Sequence, residues 1–294
     1  MIKKLPLVLP AAFAVSSAHS LQLTATVAPI ASLVEQVAGQ PVQVLIPASE
    51  SPHYFNMRMS QRALIEQSDL VFWVGESLET PIAGALGKMP NAVSLAEKDA
   101  GLHSEHGHEE HGHEEHGHEG HNHDDAHPWL SIEESEHLLT IIASELSRID
   151  AANQAEYEAR AQQAIERLHA LEAGLKSATA LMKSIPYWVM HDAYGPFEAE
   201  MGIRRMGVIQ ANVNVKPTAK ELANLRQQVQ NGGCIFNEPQ MDARWIELVA
   251  KESNVSVHTL DPLGTELTAG PELHAQLLES IAASFADCVD TITQ

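Results

Sequence analysis

Positive charge is scarce in this chain, cysteine is scarcer, and long apolar runs are absent. Lys and Arg number 18 against 39 Asp and Glu, a net charge of −21 over 294 residues. A phosphate backbone has to be neutralised by basic side chains, so nucleic acid is excluded as a partner. The only cysteines are Cys234 and Cys288, and their spacing fits no cysteine-based zinc motif. A membrane-spanning helix needs about eighteen or more apolar residues. The stretch Leu5 to Val15 falls short of that and contains Pro6 and Pro10, so direct membrane insertion is not expected. Catalytic signatures are missing too. There is no H-E-x-x-H zinc-protease helix and no G-x-S-x-G nucleophile elbow. The pairs His108–His111 and His113–His116 have the wrong spacing for the first. An enzyme is not expected.

Histidine is abundant instead. His103, His106, His108, His111, His113, His116, His118, His121 and His123 stand within 21 residues, in three EHGHE repeats from Glu105 to Glu119 closed by GHNHDD. With no large apolar residue, this segment has nothing to place in a packed core. Its charge and glycine predict a disordered, solvated insertion over 103–125. Imidazole and carboxylate together suit a borderline metal such as zinc. Three roles are open: a weak collector that raises local zinc, an acceptor from a periplasmic zinc chaperone, or a sensor of excess. The bland alternative is an inert acidic linker.

The N-terminus reads as an export signal over 1–20. Lys3 and Lys4 precede the short apolar stretch, and cleavage after Ala18 or Ser20 fits a small-x-small rule. No cysteine is near enough for a lipid anchor, so the expected product is soluble and periplasmic. In an oxidising compartment the even cysteine pair reads as one disulfide. It would close a loop of about 55 residues and contribute roughly 4 kcal/mol. Two buried thiols are the alternative.

Periodicity predicts an α/β protein. Strands are expected at Leu21–Val27, Val42–Ile46, Leu70–Val74 and Ala92–Leu95, with helices at Ile30–Ala38 and Gln61–Gln67. Such alternation argues for parallel sheets built from βαβ units. Ser131 and Glu134 form a plausible capping box. The run Asp150–Lys183 predicts one helix of roughly 50 Å, or two helices broken near Gly174. Strands follow at Tyr187–Met190, Met206–Ile209, Cys234–Asn237 and Val255–Leu260. Helices follow at Phe197–Met201, Ala219–Gln230, Asp242–Ser253 and Pro271–Ile292. The expected organisation is an N-terminal lobe (21–149), a linking helix (150–184) and a C-terminal lobe (185–294). Each lobe has a mainly parallel sheet with flanking helices, and a ligand would sit in the cleft beyond the strand ends.

Three histidines outside the repeat fall where loops meet that cleft: His53 in PASESPHYF, His127 in DDAHPWLS and His191 in YWVMHD. His137, His169 and His274 lie in helical patterns, and His258 alternates within a strand. Tetrahedral zinc takes four ligands. Asp261, after the strand HTL, is a candidate for the fourth, and an Asp-Pro turn is the equal alternative.

The ordered motifs PHYFNMRMS, DLVFWVG, HPWLS, MHDAYGPFE, CIFNEPQ, TLDPLGT and FADCV resemble the periplasmic zinc-binding proteins of bacterial ABC importers, the ZnuA-type members of the metal-receptor family. The likeness covers essentially the whole chain. It implies two α/β lobes joined by one rigid long helix and a metal held between them by His53, His127 and His191, with Asp261 or water fourth. It also implies a disulfide between Cys234 and Cys288. Some zinc receptors carry a glutamate just before the first histidine; here that position is Pro52. Met59, Pro196 and Ile132 also depart from the family pattern, none at a ligand position. Glu238 of NEPQ resembles a cleft-floor carboxylate that supports a ligand. The implied function is capture of Zn2+ and delivery to an ABC permease and its ATPase by a monomeric receptor. A manganese receptor of the same fold, a zinc hydrolase and a metal buffer are the competing readings. Ligation by neutral imidazoles predicts weaker binding as pH falls through the histidine range near 6.5.

Overall fold

The computed structural model describes residues 20–96, 126–251 and 253–293. The expected export signal (all but Ser20) and the histidine-rich insertion lie outside the described residues.

Two four-stranded sheets organise the chain, and every pairing in them is parallel. The first contains β1 (Leu23–Ala25), β2 (Gln43–Val44), β3 (Leu70–Trp73) and β4 (Ala92–Ser94), in the order β2-β1-β3-β4. The second contains β5 (Tyr187–Val189), β6 (Gly207–Val208), β7 (Cys234–Asn237) and β8 (Ser256–Thr259), in the order β6-β5-β7-β8. Each lobe thus repeats one strand order. Parallel neighbours need crossover connections, and helices supply them. In the first lobe these are α1 (Ala28–Ala38), α2 (Met59–Gln67) and α3 (Thr80–Leu86). Strands covered on both faces read as unbroken apolar runs, which is why LVFW in β3 is buried at all four positions.

Helix α3 is absent from the sequence expectation. It spans only seven residues and contains Gly84, so its apolar period is short. A usable start signal was present in Pro81 at its first turn.

After β4 come α4 (Ile132–Ile149) and the long α5 (Gln154–Thr179). Helix α5 has 26 residues, a length of about 39 Å. It passes through Gly174 without a break, because that position is open to solvent and a glycine there weakens a helix without ending it. The expected helix over 150–183 is therefore shorter at both ends, with 3-10 turns at Ala151–Asn153 and Ala180–Ser184. In the second lobe α6 (Gly195–Met201), α7 (Ala219–Gln228) and α8 (Arg244–Ala250) flank the sheet, and α9 (Leu273–Thr293) closes the chain.

One continuous apolar core runs through both lobes, from Leu23 and Phe72 to Tyr187, Phe236 and Phe285. A smaller cluster around Trp188, Ile235 and Ile246 fills the other face of the second sheet. The disulfide Cys234–Cys288 joins β7 to α9. Among the described residues no helix is long and apolar enough to cross a membrane.

Candidate metal centre

Each of the three cleft histidines is placed by a short, stiff piece of backbone. His53 sits in the 3-10 turn Pro52–Tyr54, where Pro52 fixes the entry angle. His127 immediately precedes the 3-10 turn Pro128–Leu130. His191 lies two residues beyond the end of β5, at the carboxyl edge of its sheet.

The three imidazoles converge. Their ring centroids are 5.1, 5.4 and 5.7 Å apart. One ring nitrogen from each lies within 4.8 Å of the others. The Nε2 atoms of His127 and His191 are 3.3 Å apart. Two nitrogens bound to one tetrahedral zinc at 2.0–2.1 Å stand about 3.3 to 3.4 Å apart. The pair is therefore already at the edge length of a zinc tetrahedron. His53 Nε2 is buried with no hydrogen-bond partner among the described residues, while its ring bonds the Leu78 backbone. A buried, unpartnered nitrogen is costly unless something fills its lone pair.

Burial keeps the His53 and His127 rings neutral. Desolvation, reinforced by the neighbouring rings of His127 and His191, lowers the His53 pKa to about 3. Desolvation and then His191 lower His127 well below the ordinary histidine range. Neutral imidazole is the ligating form.

Support for the ligands comes from residues behind them. Glu238, 1% exposed, places Oε2 2.5 Å from His191 Nδ1, and its Oε1 accepts from the His191 backbone N–H at 3.2 Å. A carboxylate this close to Nδ1 favours the tautomer protonated there, which leaves the Nε2 lone pair for the site. The ligand-supporting role expected of Glu238 matches this geometry. Trp129 packs edge-on against His127 at 5.3 Å and donates Nε1–H to the Pro262 carbonyl at 2.8 Å. His274, which the sequence placed in a helical pattern, is completely buried. Its Nε2 lies 2.7 Å from the Trp129 carbonyl and 3.2 Å from Ser135 Oγ, so it braces the loop that carries His127. Its helical setting in the sequence gave no sign of that role.

Asp261 does not join the three histidines. Its Oδ1 accepts from the backbone N–H groups of Leu263 and Gly264 and from Gln240 Nε2. Its Oδ2 accepts from Thr265 N–H. That is the turn-capping alternative, and a carboxylate with four donors has little left to offer a metal. His258 sits in β8 beside Ser256 Oγ, and His169 on α5 contacts Glu136 of α4; neither enters the cluster. The nine histidines of 103–123 lie outside the described residues.

The cavity among these side chains is about 10 Å³. That is about the least space that admits a single water. It suits a single ion.

Two parallel-sheet lobes with three imidazoles converging in an ion-sized pocket describe a receptor for a metal ion. The family model for the zinc-uptake complex component A, periplasmic, matches residues 23–288, and the chain belongs to that family. A high-affinity zinc uptake system protein ZnuA of Brucella abortus is 32% identical, with 88% of each chain covered. The protein of that name in Paracoccus denitrificans is also 32% identical, over 98% of this chain and 99% of its own. A ZnuA crystal structure superposes with a TM-score of 0.74 at 22% identity, covering 92% of this chain and 99% of the other. At that identity the structural likeness speaks for the fold.

Proposed function

We propose that this chain is a periplasmic zinc receptor that captures Zn2+ through His53, His127 and His191 and delivers it to an ABC permease driven by an ATPase. The observation that carries the reading is the 3.3 Å separation of the His127 and His191 Nε2 atoms, with a third buried imidazole facing them. Family membership supports the transport role. The donor set is nitrogen-rich, and Asp261 is occupied in its own turn. Manganese prefers more oxygen, so these donors favour zinc. Water is the fourth ligand in this reading. The division into a lobe over 21–149, a linking helix over 150–184 and a lobe over 185–294 is part of the proposal, as are a cleaved signal and a monomeric state.

The nine histidines of the insertion serve as a weaker collector or as an acceptor from a zinc chaperone. They are tethered near the cleft because His123 is only four residues from His127. One experiment tests both parts. Protein lacking 103–123 is analysed for bound metal and titrated with zinc and manganese in competition. It is expected to bind one zinc as tightly as the full chain and to lose the additional equivalents. His191→Ala in the same background is expected to weaken that single site at least 100-fold. A loop-deleted protein without a tight site, or a His191→Ala protein that binds as before, overturns the assignment.

A further inference from the structure

Glu200 lies on α6, nine residues after His191. Its carboxylate reaches across the lobes to the start of α4. Oε1 accepts from Ser131 Oγ at 2.5 Å and from the Glu133 N–H at 2.8 Å, and Oε2 accepts from the Ile132 N–H at 2.9 Å. Ser131 in turn caps the helix by accepting from the Glu134 N–H at 3.1 Å. Of the capping box expected from Ser131 and Glu134, the serine half forms while the Ser131 N–H bonds the Pro128 carbonyl, and a carboxylate from α6 joins the cap. The first turn of a helix leaves its N–H groups without partners and carries partial positive charge. A carboxylate that accepts three bonds there is held by charge-assisted contacts.

The segment it grips begins four residues after His127, and the helix it comes from follows the loop that carries His191. Those are the two histidines whose nitrogens lie at zinc-tetrahedron spacing. His53 is fastened elsewhere. Its neighbour Tyr54 donates to the Val213 carbonyl at 2.7 Å, and the Ala48 carbonyl of the same loop accepts from Gln240 Nε2 at 2.8 Å and Thr265 Oγ1 at 3.1 Å. Two ligands therefore share one clamp, and the third has its own.

We propose that Glu200 is a positioning residue that sets the separation of His127 and His191, so that the pair stands ready as a half-site before His53 completes it. The inference rests on the reading that the three histidines hold the metal. Glu200→Gln keeps the size of the side chain but turns an NH2 group toward backbone N–H donors, so it is expected to act nearly as strongly as Glu200→Ala. Zn2+ affinity by chelator competition is expected to fall tenfold or more in both variants. The visible absorption of the Co2+-loaded protein, which reports ligand geometry, is expected to change with it. Ser131→Ala removes one of the three bonds; it is expected to give a smaller loss in the same direction, and it serves as the test if the Glu200 variants do not fold. The measurements are made at 0.15 and 0.5 M salt, because a loss caused only by the missing charge fades with screening whereas a lost clamp does not. Wild-type affinity and an unchanged Co2+ spectrum overturn the proposal, even if melting temperature drops, and so does a loss that disappears at high salt. Zinc binding that is insensitive to His191→Ala overturns the functional reading and this inference together; normal His191 dependence with silent Glu200 variants overturns this inference alone.

Discussion

The two lobes share a strand order and a buried carboxylate at the same edge, yet they use it differently. In the first lobe Glu79, fully buried, stands beyond β3. It accepts from Thr26 Oγ1 just after β1 and from the Val74 and Gly75 N–H groups. In the second lobe Glu238 stands beyond β7 and holds the backbone and ring of His191, just after β5. Both acids tie the carboxyl ends of the two central strands together. Where the partner after the first central strand is a threonine, the tie is structural. Where the partner is a histidine, the same tie supports a candidate metal ligand. Burial pushes the Glu79 pKa up to about 7 despite its hydrogen bonds, which marks its anion as expensive to keep in so dry a place.

The lobes also differ in reinforcement, and the largest expected effect lies there. Cys234 and Cys288 are 54 residues apart, and their bond secures the second sheet. Its loss through a double serine substitution is expected to lower stability by about 4 kcal/mol in the chain-entropy model. Denaturant unfolding measures it, and a change below about 1 kcal/mol would mean that the helix α9 packing alone holds this lobe.

Next comes the pair of acids. Glu238→Gln is expected to weaken zinc binding tenfold to hundredfold, as removal of a partner behind a ligand does. Glu79→Gln is expected to lower the melting temperature while zinc affinity stays within about threefold, a bound set by the tenfold-per-1.4 kcal/mol scale. Equal effects of the two substitutions on affinity would erase the distinction between the lobes.

The smallest effect concerns protons. Unfolded histidines take up protons near pH 6.5. Folded His53 does so only near 3 and His274 near 4, both because of desolvation. The folded state thus binds fewer protons than the unfolded state below 6.5. Stability of the metal-free protein is full above that pH and is lost as pH falls through the window toward 4. Proton competition at His53 and His127 is expected to change zinc affinity less than about threefold between pH 7.5 and 5.5, because those two buried rings are already neutral. This moves the onset of proton competition below the value expected for water-exposed histidines. A tenfold loss by pH 5.5 would show that the metal-free cleft opens to water.

Much of this arrangement was legible in the residues. Parallel strands such as Cys234–Asn237 announced themselves as short apolar runs, and the two lobes followed from alternation with helices. His53, His127 and His191 were identifiable because each sits in a loop and not in a helical period. The shared strand order and the contacts across the lobes depend on which loops meet in space, and no local pattern encodes that. Glu79 and Glu200 look like ordinary charges in sequence, and their partners lie 53 and about 70 residues away. Asp261 had two equal readings, and only its backbone partners favoured the turn.

The pocket of about 10 Å³ has a kinetic meaning as well as a chemical one. An ion held by His127 and His191, both nearly shut off from solvent, would leave on the side of His53, the least buried of the three. Dissociation is then expected to follow the parting of the Tyr54 and Ala48 contacts that fasten the His53 loop. Such opening belongs to the microsecond-to-second motions of loops and lobes. Residence time is then a property of the protein's hinges more than of its metal bonds, and a docking partner that prises one loop away sets the clock for delivery.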